Sequence, residues 1–154
     1  MTTNDRLIDF IARSPSCFHA AAAIAARLEV CGCRPLSEAE DWTLVPGGRY
    51  YVTRNQSSVI AFAVPEDAPR GFMMCASHSD SPTFKIKENA ENESAGMYVR
   101  LNTERYGGML CATWLDRPLS VAGRLVVREG GRIVSRLADV QRDLLLIPNV
   151  AIHM

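Results

Sequence analysis

The sequence predicts an α/β fold in which an N-terminal helix pair and a sheet are followed by a β-rich module. Two segments with helical spacing of apolar residues open the chain, and short apolar runs divided by turn residues follow them. Near Glu88 the composition shifts to charged and turn-forming residues, and beyond it short β segments are separated by paired glycines. We therefore expect one domain in residues 1–88 and the start of a second in residues 89–154.

Length and charge bound the class of protein. The 154 residues suffice for a sizeable core, and 47% apolar with 22% charged residues is typical of a globular chain. Seventeen basic and seventeen acidic side chains cancel, so the charge predicts no nucleic-acid partner and no anionic membrane surface. The N-terminus opens with polar residues and no uninterrupted apolar stretch follows it. We expect no signal peptide and no membrane span.

The cysteines indicate a reducing compartment. There are five, an odd number, scattered among apolar neighbours, whereas secreted disulfide frameworks use even numbers of closely spaced cysteines. We therefore expect reduced thiols and a cytoplasmic location. The pair Cys31-Gly-Cys33 lacks the two-residue gap of a common zinc or redox pair, so we interpret it as structural.

Two helices are predicted at the start of the chain. Asn4 or Asp5 can cap the first helix, which should end near Ser14-Pro15. Ser16 is the expected N-cap of the second helix, and Gly32 should stop it. Helical spacing predicts that the apolar face of the first helix consists of Leu7, Ile8, Phe10 and Ile11.

The second helix contains a run of alanines and one histidine. The run Ala20–Ala23 should allow the helix to pack closely onto a sheet. His19 lies in the first turn, far along the chain from the other candidate ligands. We interpret it as a structural or exposed residue and not as a metal ligand.

Strands are expected in both domains. The last strand of the first domain should be a buried inner strand, because a purely apolar run there ends in a polar cluster with Pro82. The predicted strands of the first domain are Trp42–Val45, Arg49–Arg54, Ser58–Val64 and Phe72–Ala76. Those of the β-rich module are Met97–Thr103, Met109–Trp114, Ser120–Glu129, Arg132–Arg136 and Leu144–Ile147.

Local signals between these strands predict a loop, a hairpin and a structural pair. The charged stretch Lys85–Glu93 is turn-rich and should form a loop. Glu129-Gly130-Gly131-Arg132 predicts a tight hairpin, because two glycines can both adopt the positive φ that such turns require. We interpret the charged pair Asp116-Arg117 as structural within the β-rich module.

His78 and Asp80 are the strongest candidate site residues. They follow the predicted strand Phe72–Ala76, and the carboxyl ends of strands are where open α/β sheets bind ligands. On extended chain, residues two apart project to the same side, so Asp80 can bond one ring nitrogen of His78 while the other nitrogen meets a metal. The alternative is a histidine at a strand end beside an aspartate that caps a turn.

Three strings in this order resemble the aspartyl aminopeptidase family, which are zinc metallopeptidases that use two adjacent zinc ions. They are Ala-Ser-His-Ser-Asp-Ser-Pro-Thr-Phe-Lys-Ile-Lys around His78, Tyr-Gly-Gly-Met-Leu-Cys-Ala-Thr-Trp-Leu-Asp-Arg-Pro-Leu from Tyr106, and Ile-Pro-Asn-Val-Ala-Ile-His-Met from Ile147. The segment Ser14–Ala20 also matches the opening of the family's fold. The resemblance implies a catalytic α/β domain interrupted by a β-rich dimerisation domain.

The resemblance implies roles for three residues. His78 would bind zinc, and Asp80 would orient His78 or its bridging partner at the catalytic centre. His153 would reach the active site of a neighbouring subunit and contact the substrate carbonyl, with a metal-ligand role as the alternative. The implied activity is removal of N-terminal Asp or Glu from peptides by a homo-oligomer, as a dimer or a larger ring.

Most ligands of a two-zinc site are absent from the matching strings. A bridging carboxylate, further ligands and a general base are needed, and the resemblance places them beyond the β-rich insert. The chain thus resembles the N-terminal part of the family, and we expect it to bind zinc weakly or not at all and to be inactive alone. Two alternatives remain: a non-catalytic assembly module that pairs through sheet edges, and an unrelated one-zinc hydrolase that uses His78, His153 and an acidic residue.

Overall fold

A computed structural model describes residues 1–150, which form two α-helices, seven strands and one 3₁₀-helix. In chain order these are α1 (Thr3–Ala12), α2 (Cys17–Val30), β1 (Arg34–Leu36), β2 (Arg49–Arg54), β3 (Ser58–Ala63), β4 (Thr83–Ser94), β5 (Tyr98–Tyr106), the 3₁₀-helix Cys111–Trp114, β6 (Ala122–Glu129) and β7 (Arg132–Asp139). Two compact units result. The first comprises Met1–Asp80 with Val121–Gln141, and the second comprises Ser81–Ser120 with the chain from Arg142 onward.

The first helix is capped two residues before Asn4, the earlier of its two predicted caps Asn4 and Asp5. Thr2 is the N-cap: its hydroxyl accepts from the Asp5 amide at 3.2 Å, and the Asp5 carboxylate accepts from the Thr2 amide at 2.7 Å. This reciprocal pair satisfies two amides at once, which is why it prevails over a cap further along. Hydrogen bonding from the Thr2 amide lowers the pKa of Asp5. No residue of α1 is buried: of its predicted apolar face, Leu7, Ile8 and Ile11 are exposed, whereas Phe10 is half-buried.

The predicted ends of α2 are confirmed. The Ser16 hydroxyl accepts from the His19 amide at 3.4 Å, and it also lies 2.8 Å from Nδ1 of His19. At the other end Gly32 has a φ of 79°, its amide donates to Glu29 O, and the next amide donates to Leu28 O, both at 2.9 Å. This pattern satisfies the last carbonyls of a helix and requires a residue that tolerates positive φ.

The sheet of the first unit is built around β2. β1 runs parallel to β2 and β3 runs antiparallel to it, in the order β1-β2-β3. Three successive residues of β2, Tyr50, Tyr51 and Val52, are buried, because alternate side chains meet packing partners on opposite faces. The Tyr51 hydroxyl reaches Glu29 of α2 at 2.5 Å, whereas the Tyr50 ring lies 5.6 Å from the ring of Phe62.

The helix α2 covers one face of this sheet, as its alanines predicted. Ala20 and Ala21 are 6% and 1% exposed, the latter among the most buried residues described. Small side chains let the helix axis approach the strands closely. The predictions for β2 and β3 are confirmed, β3 ending at Ala63 instead of Val64.

The predicted strand Trp42–Val45 is wrong. Its polar groups bond outside any strand ladder: the Trp42 indole donates to Ser37 O at 2.7 Å, and the Val45 amide donates to the Tyr50 hydroxyl at 3.0 Å. β2 pairs instead with β1, a strand that precedes Trp42 in the sequence. β1 contains Pro35, which an edge strand tolerates.

The predicted buried strand Phe72–Ala76 is also wrong. Residues 72–76 have no regular secondary structure, and Phe72 and Met74 are 91% and 90% exposed. An apolar run indicates a tendency to be buried, but a strand also needs a neighbour with which to exchange backbone hydrogen bonds. In the part of the chain that the structure describes, the sheet of the first unit consists only of β1, β2 and β3.

The hairpin of β6 and β7 is confirmed and belongs to the first unit. Glu129 pairs with Arg132 across the turn, and Gly130 and Gly131 have φ values of 55° and 79°. Two successive positive φ values define the tight turn that twisted strands favour. β7 extends beyond its predicted end at Arg136 to Asp139.

In the second unit the predicted loop Lys85–Glu93 is instead part of β4, which pairs antiparallel with β5. Cross-strand contacts explain the difference, since Lys85 lies opposite Glu104 and their charged groups are 3.1 Å apart. A register shift between Ile86 and Glu91 accommodates the turn-forming residues within the strand. The predicted boundary at residue 88 lies inside β4, and the assignment of two domains remains a prediction.

Two further predicted strands of this unit are wrong or reduced. Met109–Trp114 holds the 3₁₀-helix, closed by the Thr113 hydroxyl donating to Leu110 O at 2.7 Å. Leu144–Ile147 contributes only an isolated bridge from Leu145 to Leu119. The segment is tied by Asp116, whose carboxylate accepts from the amide of residue 149 at 2.8 Å, which agrees with its structural interpretation.

No helix within residues 1–150 is both long and apolar enough to cross a membrane.

The contact between Tyr51 and Glu29 makes stability sensitive to alkaline pH. Hydrogen bonding to the Glu29 carboxylate, followed by burial, raises the pKa of Tyr51 from 10.0 to about 12. Because the folded pKa exceeds the unfolded one, the contribution is complete below pH 10 and is lost as pH rises towards 12. We expect the wild type to lose up to about 2–3 kcal/mol more than Tyr51→Phe across this window, at about 1.4 kcal/mol per pKa unit.

Urea unfolding at several pH values between 9 and about 12 measures this difference. The matched control is Tyr98→Phe, since Tyr98 is 68% exposed. Parallel pH profiles for the wild type and Tyr51→Phe would contradict the prediction.

Candidate metal-binding site

His78 and Asp80 contact each other as the sequence predicted. His78 Nδ1 lies 2.9 Å from Asp80 Oδ1 and 2.9 Å from the Asp80 backbone oxygen. Both oxygens can only accept a hydrogen bond, so Nδ1 carries the proton. In the neutral ring the lone pair is then on Nε2, the nitrogen that a metal would meet.

The imidazole is open to solvent. The side chain of His78 is 80% exposed and that of Asp80 is 44% exposed. At such exposure the attraction between the two groups contributes little to the stability of the fold. The main effect of the contact is therefore on the orientation and tautomer of the ring.

Ser79 fixes the segment that carries these two residues. We call residues 77–80 the site segment. The Ser79 hydroxyl donates to the backbone oxygen of Ser57 at 2.8 Å, in the turn between β2 and β3. Side chains alternate on extended chain, so a serine between His78 and Asp80 points away from them. That alternation was a usable signal for an anchor, but the sequence could not identify its partner 22 residues earlier.

The described residues offer one candidate zinc ligand but no complete set. In residues 1–150 no three His, Cys, Asp or Glu side chains lie together as a metal site would require. Zinc in proteins takes three or four such ligands, usually a mixture of imidazole, carboxylate and thiolate. A histidine whose second nitrogen is held by a carboxylate fits one of these positions.

Of the other two histidines, the structure describes His19 but not His153. His19 bonds to Ser16 within the start of α2, which agrees with its structural interpretation. His153 lies outside the described residues, so its predicted contact with substrate in a neighbouring subunit stays a prediction.

The sequence matches a known peptidase family over most of its length. The family described as "Aminopeptidase I zinc metalloprotease (M18)" matches residues 10–154. A protein named probable M18 family aminopeptidase 2, from Pseudomonas putida strain GB-1, is 46% identical over 153 residues. That alignment covers 98% of this chain and 35% of the relative, so the chain spans about a third of the relative's length.

Solved structures of larger chains contain a closely similar fold. The structure of Chaetomium thermophilum mApe1 has a TM-score of 0.90 and 35% identity, covering 97% of this chain and 35% of that one. The S. cerevisiae mApe1 dodecamer has a TM-score of 0.87 and 31% identity, covering 95% of this chain and 35% of that one. The mixed α/β arrangement described above is thus shared with part of these larger chains.

The carboxylate of Asp80 should determine the tautomer of His78. In Asp80→Ala the Nδ1 proton keeps only the backbone oxygen of residue 80 as an acceptor, so we expect a larger share of the Nε2-protonated form. Nitrogen-15 chemical shifts of the ring, recorded in alkaline buffer where imidazole is neutral, measure the ratio. The ring of His19 serves as an internal control and should not change. Unaltered His78 shifts would show that Asp80 does not set the tautomer.

Proposed function

Because the chain belongs to the M18 family of zinc metalloproteases, we propose that it forms the zinc-binding front part of an aminopeptidase that removes N-terminal Asp or Glu from peptides. The observation that carries the proposal is the geometry of His78, whose Nδ1 is bonded to Asp80 while Nε2 is left with a lone pair. This pair lies in one of the three strings that resemble the aspartyl aminopeptidases. The preference for acidic residues rests on that resemblance alone.

In this proposal His78 holds a zinc ion through Nε2, and Asp80 keeps the ring in the tautomer that permits it. A bound zinc supplies Lewis acidity and an activated water for hydrolysis of the peptide bond. Asp80 also increases the electron density of the imidazole by accepting its Nδ1 proton in a hydrogen bond. Ser79 keeps both residues in place through its bond to Ser57.

The remaining ligands are proposed to come from outside these 154 residues. The chain spans 35% of the P. putida relative, so most of that protein has no counterpart here. A family of this kind needs further carboxylate and histidine ligands, with two zinc ions in the complete site. We propose that this additional part supplies them, together with the general base.

The proposed role of His153 requires that the protein forms a homo-oligomer. The resemblance implies that His153 contacts the substrate in a neighbouring subunit, with a metal-ligand role there as the alternative. Such a role requires a homo-oligomer, and the S. cerevisiae relative forms a dodecamer. Five free cysteines, which a reducing environment preserves, support the proposed cytoplasmic location.

A non-catalytic assembly role is the second candidate. It is favoured by two-stranded ribbons, β4-β5 and β6-β7, each of which has unpaired edges within the described residues. Exposed edges pair readily with strands of another chain. Exposed apolar side chains near or at the ends of both ribbons would add to such contacts: Met97, Tyr98, Val99, Val126 and Ile133. Zinc content and turnover distinguish the two candidates.

The chain alone should hold less than one zinc per molecule after dialysis and should not hydrolyse an aspartyl anilide, since one histidine is too few ligands. Elemental analysis and a chromogenic assay measure both. His78→Ala is the matched variant and should bind still less metal. Stoichiometric zinc that disappears in His78→Ala, accompanied by turnover, would show that the site is complete within or between these chains.

A graft tests the catalytic part of the proposal. These residues would replace the matching third of the P. putida relative, which is 46% identical over the exchanged length. We expect the graft to bind zinc and to hydrolyse aspartyl anilide faster than leucyl anilide. His78→Ala should lower kcat/KM by at least about 100-fold, and Asp80→Asn by roughly 10–100-fold, as for residues that orient a metal ligand.

His19→Ala is the matched control in the graft and should keep the parental kcat/KM, because the His19 ring bonds to Ser16 at the start of α2. A His78→Ala graft with full zinc content and full turnover would remove His78 from the metal site. A graft that preferred leucyl anilide would contradict the proposed acidic specificity.

A further inference from the structure

The turn between β2 and β3, residues 55–57, receives contacts from two parts of the first unit. One comes from the site segment, where the Ser79 hydroxyl donates to Ser57 O at 2.8 Å. The other comes from β6, where Arg124 Nη1 donates to the backbone oxygen of Asn55 at 2.7 Å. Arg124 and Asn55 are 69 residues apart in sequence, so this contact joins distant parts of the chain.

This turn has a backbone conformation that one of its two central residues, Gln56, does not favour. Asn55 and Gln56 have φ values of 51° and 56°, in the left-handed region. The turn between β6 and β7 adopts similar positive φ values, but there both residues are glycines, Gly130 and Gly131. Asparagine tolerates the left-handed region, whereas glutamine gains no such advantage. The β2–β3 turn therefore depends more on bonds from outside itself.

Arg124 is well placed to supply those bonds. The same nitrogen that reaches the Asn55 backbone oxygen also reaches Asn55 Oδ1 at 3.0 Å, so it contacts both the main chain and the side chain. Its guanidinium lies over the ring of Phe18 on α2, 4.2 Å from the centroid. A planar guanidinium can stack on a ring and donate in its own plane at the same time, which the ammonium of lysine does not do equally well.

The contacts form a continuous series that ends at the candidate metal ligand. Arg124 holds Asn55, the turn presents the backbone oxygen of Ser57, and Ser79 is fixed to that oxygen. Ser79 is the residue between His78 and Asp80. The side chain of His78 is largely solvent-exposed, and the Ser79 bond ties the site segment to the turn of the sheet.

We propose that Arg124 is a positioning residue for the metal-binding segment and acts through the β2–β3 turn. It touches neither zinc nor substrate; it sets the place of Ser57 O, and thereby the place of His78. The relevance to catalysis rests on the proposed function of His78. A hairpin that lies later in the sequence than the site thus contributes to the geometry of the site.

The test on the chain itself is the mobility of residues 77–80, measured by nitrogen-15 relaxation. In the wild type we expect backbone order parameters near about 0.85, the value of rigid backbone. In Arg124→Met, which keeps the length of the side chain but has no donor, we expect values below about 0.6. Ser79→Ala should produce the same loss without altering any contact of β6.

Three variants separate positioning from general stability. Arg128→Ala removes another arginine of β6, one for which the structure shows no bond to the turn, and should leave residues 77–80 rigid. Arg124→Lys retains a donor and should restore part of the order. Asn55→Gly suits the positive φ and removes only the Oδ1 acceptor, so its effect should be smaller than that of Arg124→Met. Circular dichroism confirms which variants are folded.

In the graft described above, Arg124→Met should lower kcat about 10-fold with KM within about twofold, as expected when a ligand's support is lost. Unchanged order parameters in both Arg124→Met and Ser79→Ala would overturn the proposal, as would site-segment mobility already high in the wild type. An inactive graft would contradict the proposed function only, because the relaxation measurement needs neither zinc nor substrate.

Discussion

Burial of β2 on both of its faces is the constraint on which the first unit depends. Tyr51 packs beneath α2 and Tyr50 packs against Phe62, so one strand joins the helical layer to the aromatic cluster behind it. A strand buried in this way needs a neighbour on each side, which β1 and β3 provide. β2 determines where the turn that follows it lies, and this turn positions the candidate metal ligand His78. A surface histidine is thus placed by the core.

The parts of the fold that could be predicted are those specified by neighbouring residues. Ser16 and Gly32 delimit α2, and the glycine pair Gly130-Gly131 forms the expected hairpin, because caps and tight turns are decided within a few residues. Pairing between distant segments is not encoded locally. For that reason Phe72–Ala76 reads as a buried strand but is exposed, whereas the charged Lys85–Glu93 reads as a loop but is part of β4.

The same distinction holds at the candidate site. The contact between His78 and Asp80 spans two residues and follows from the alternation of side chains, so the sequence predicted it. The anchors of the segment, Ser57 and Arg124, lie far away in the sequence and carry no motif. A sequence can name the residues that perform the chemistry more readily than the residues that hold them in place.

The discontinuity of the first unit also has a consequence for the order of folding. Its two pieces, Met1–Asp80 and Val121–Gln141, are separated by Ser81–Ser120, which must be synthesised and looped out before they meet. Contacts of long sequence separation form late, because the chain entropy of closing the loop opposes them. On a ribosome the helices and the sheet can associate while β6 is still within the exit tunnel. The segment with the candidate ligand and the turn that anchors it therefore emerge before Arg124 of β6, the residue that contacts this turn.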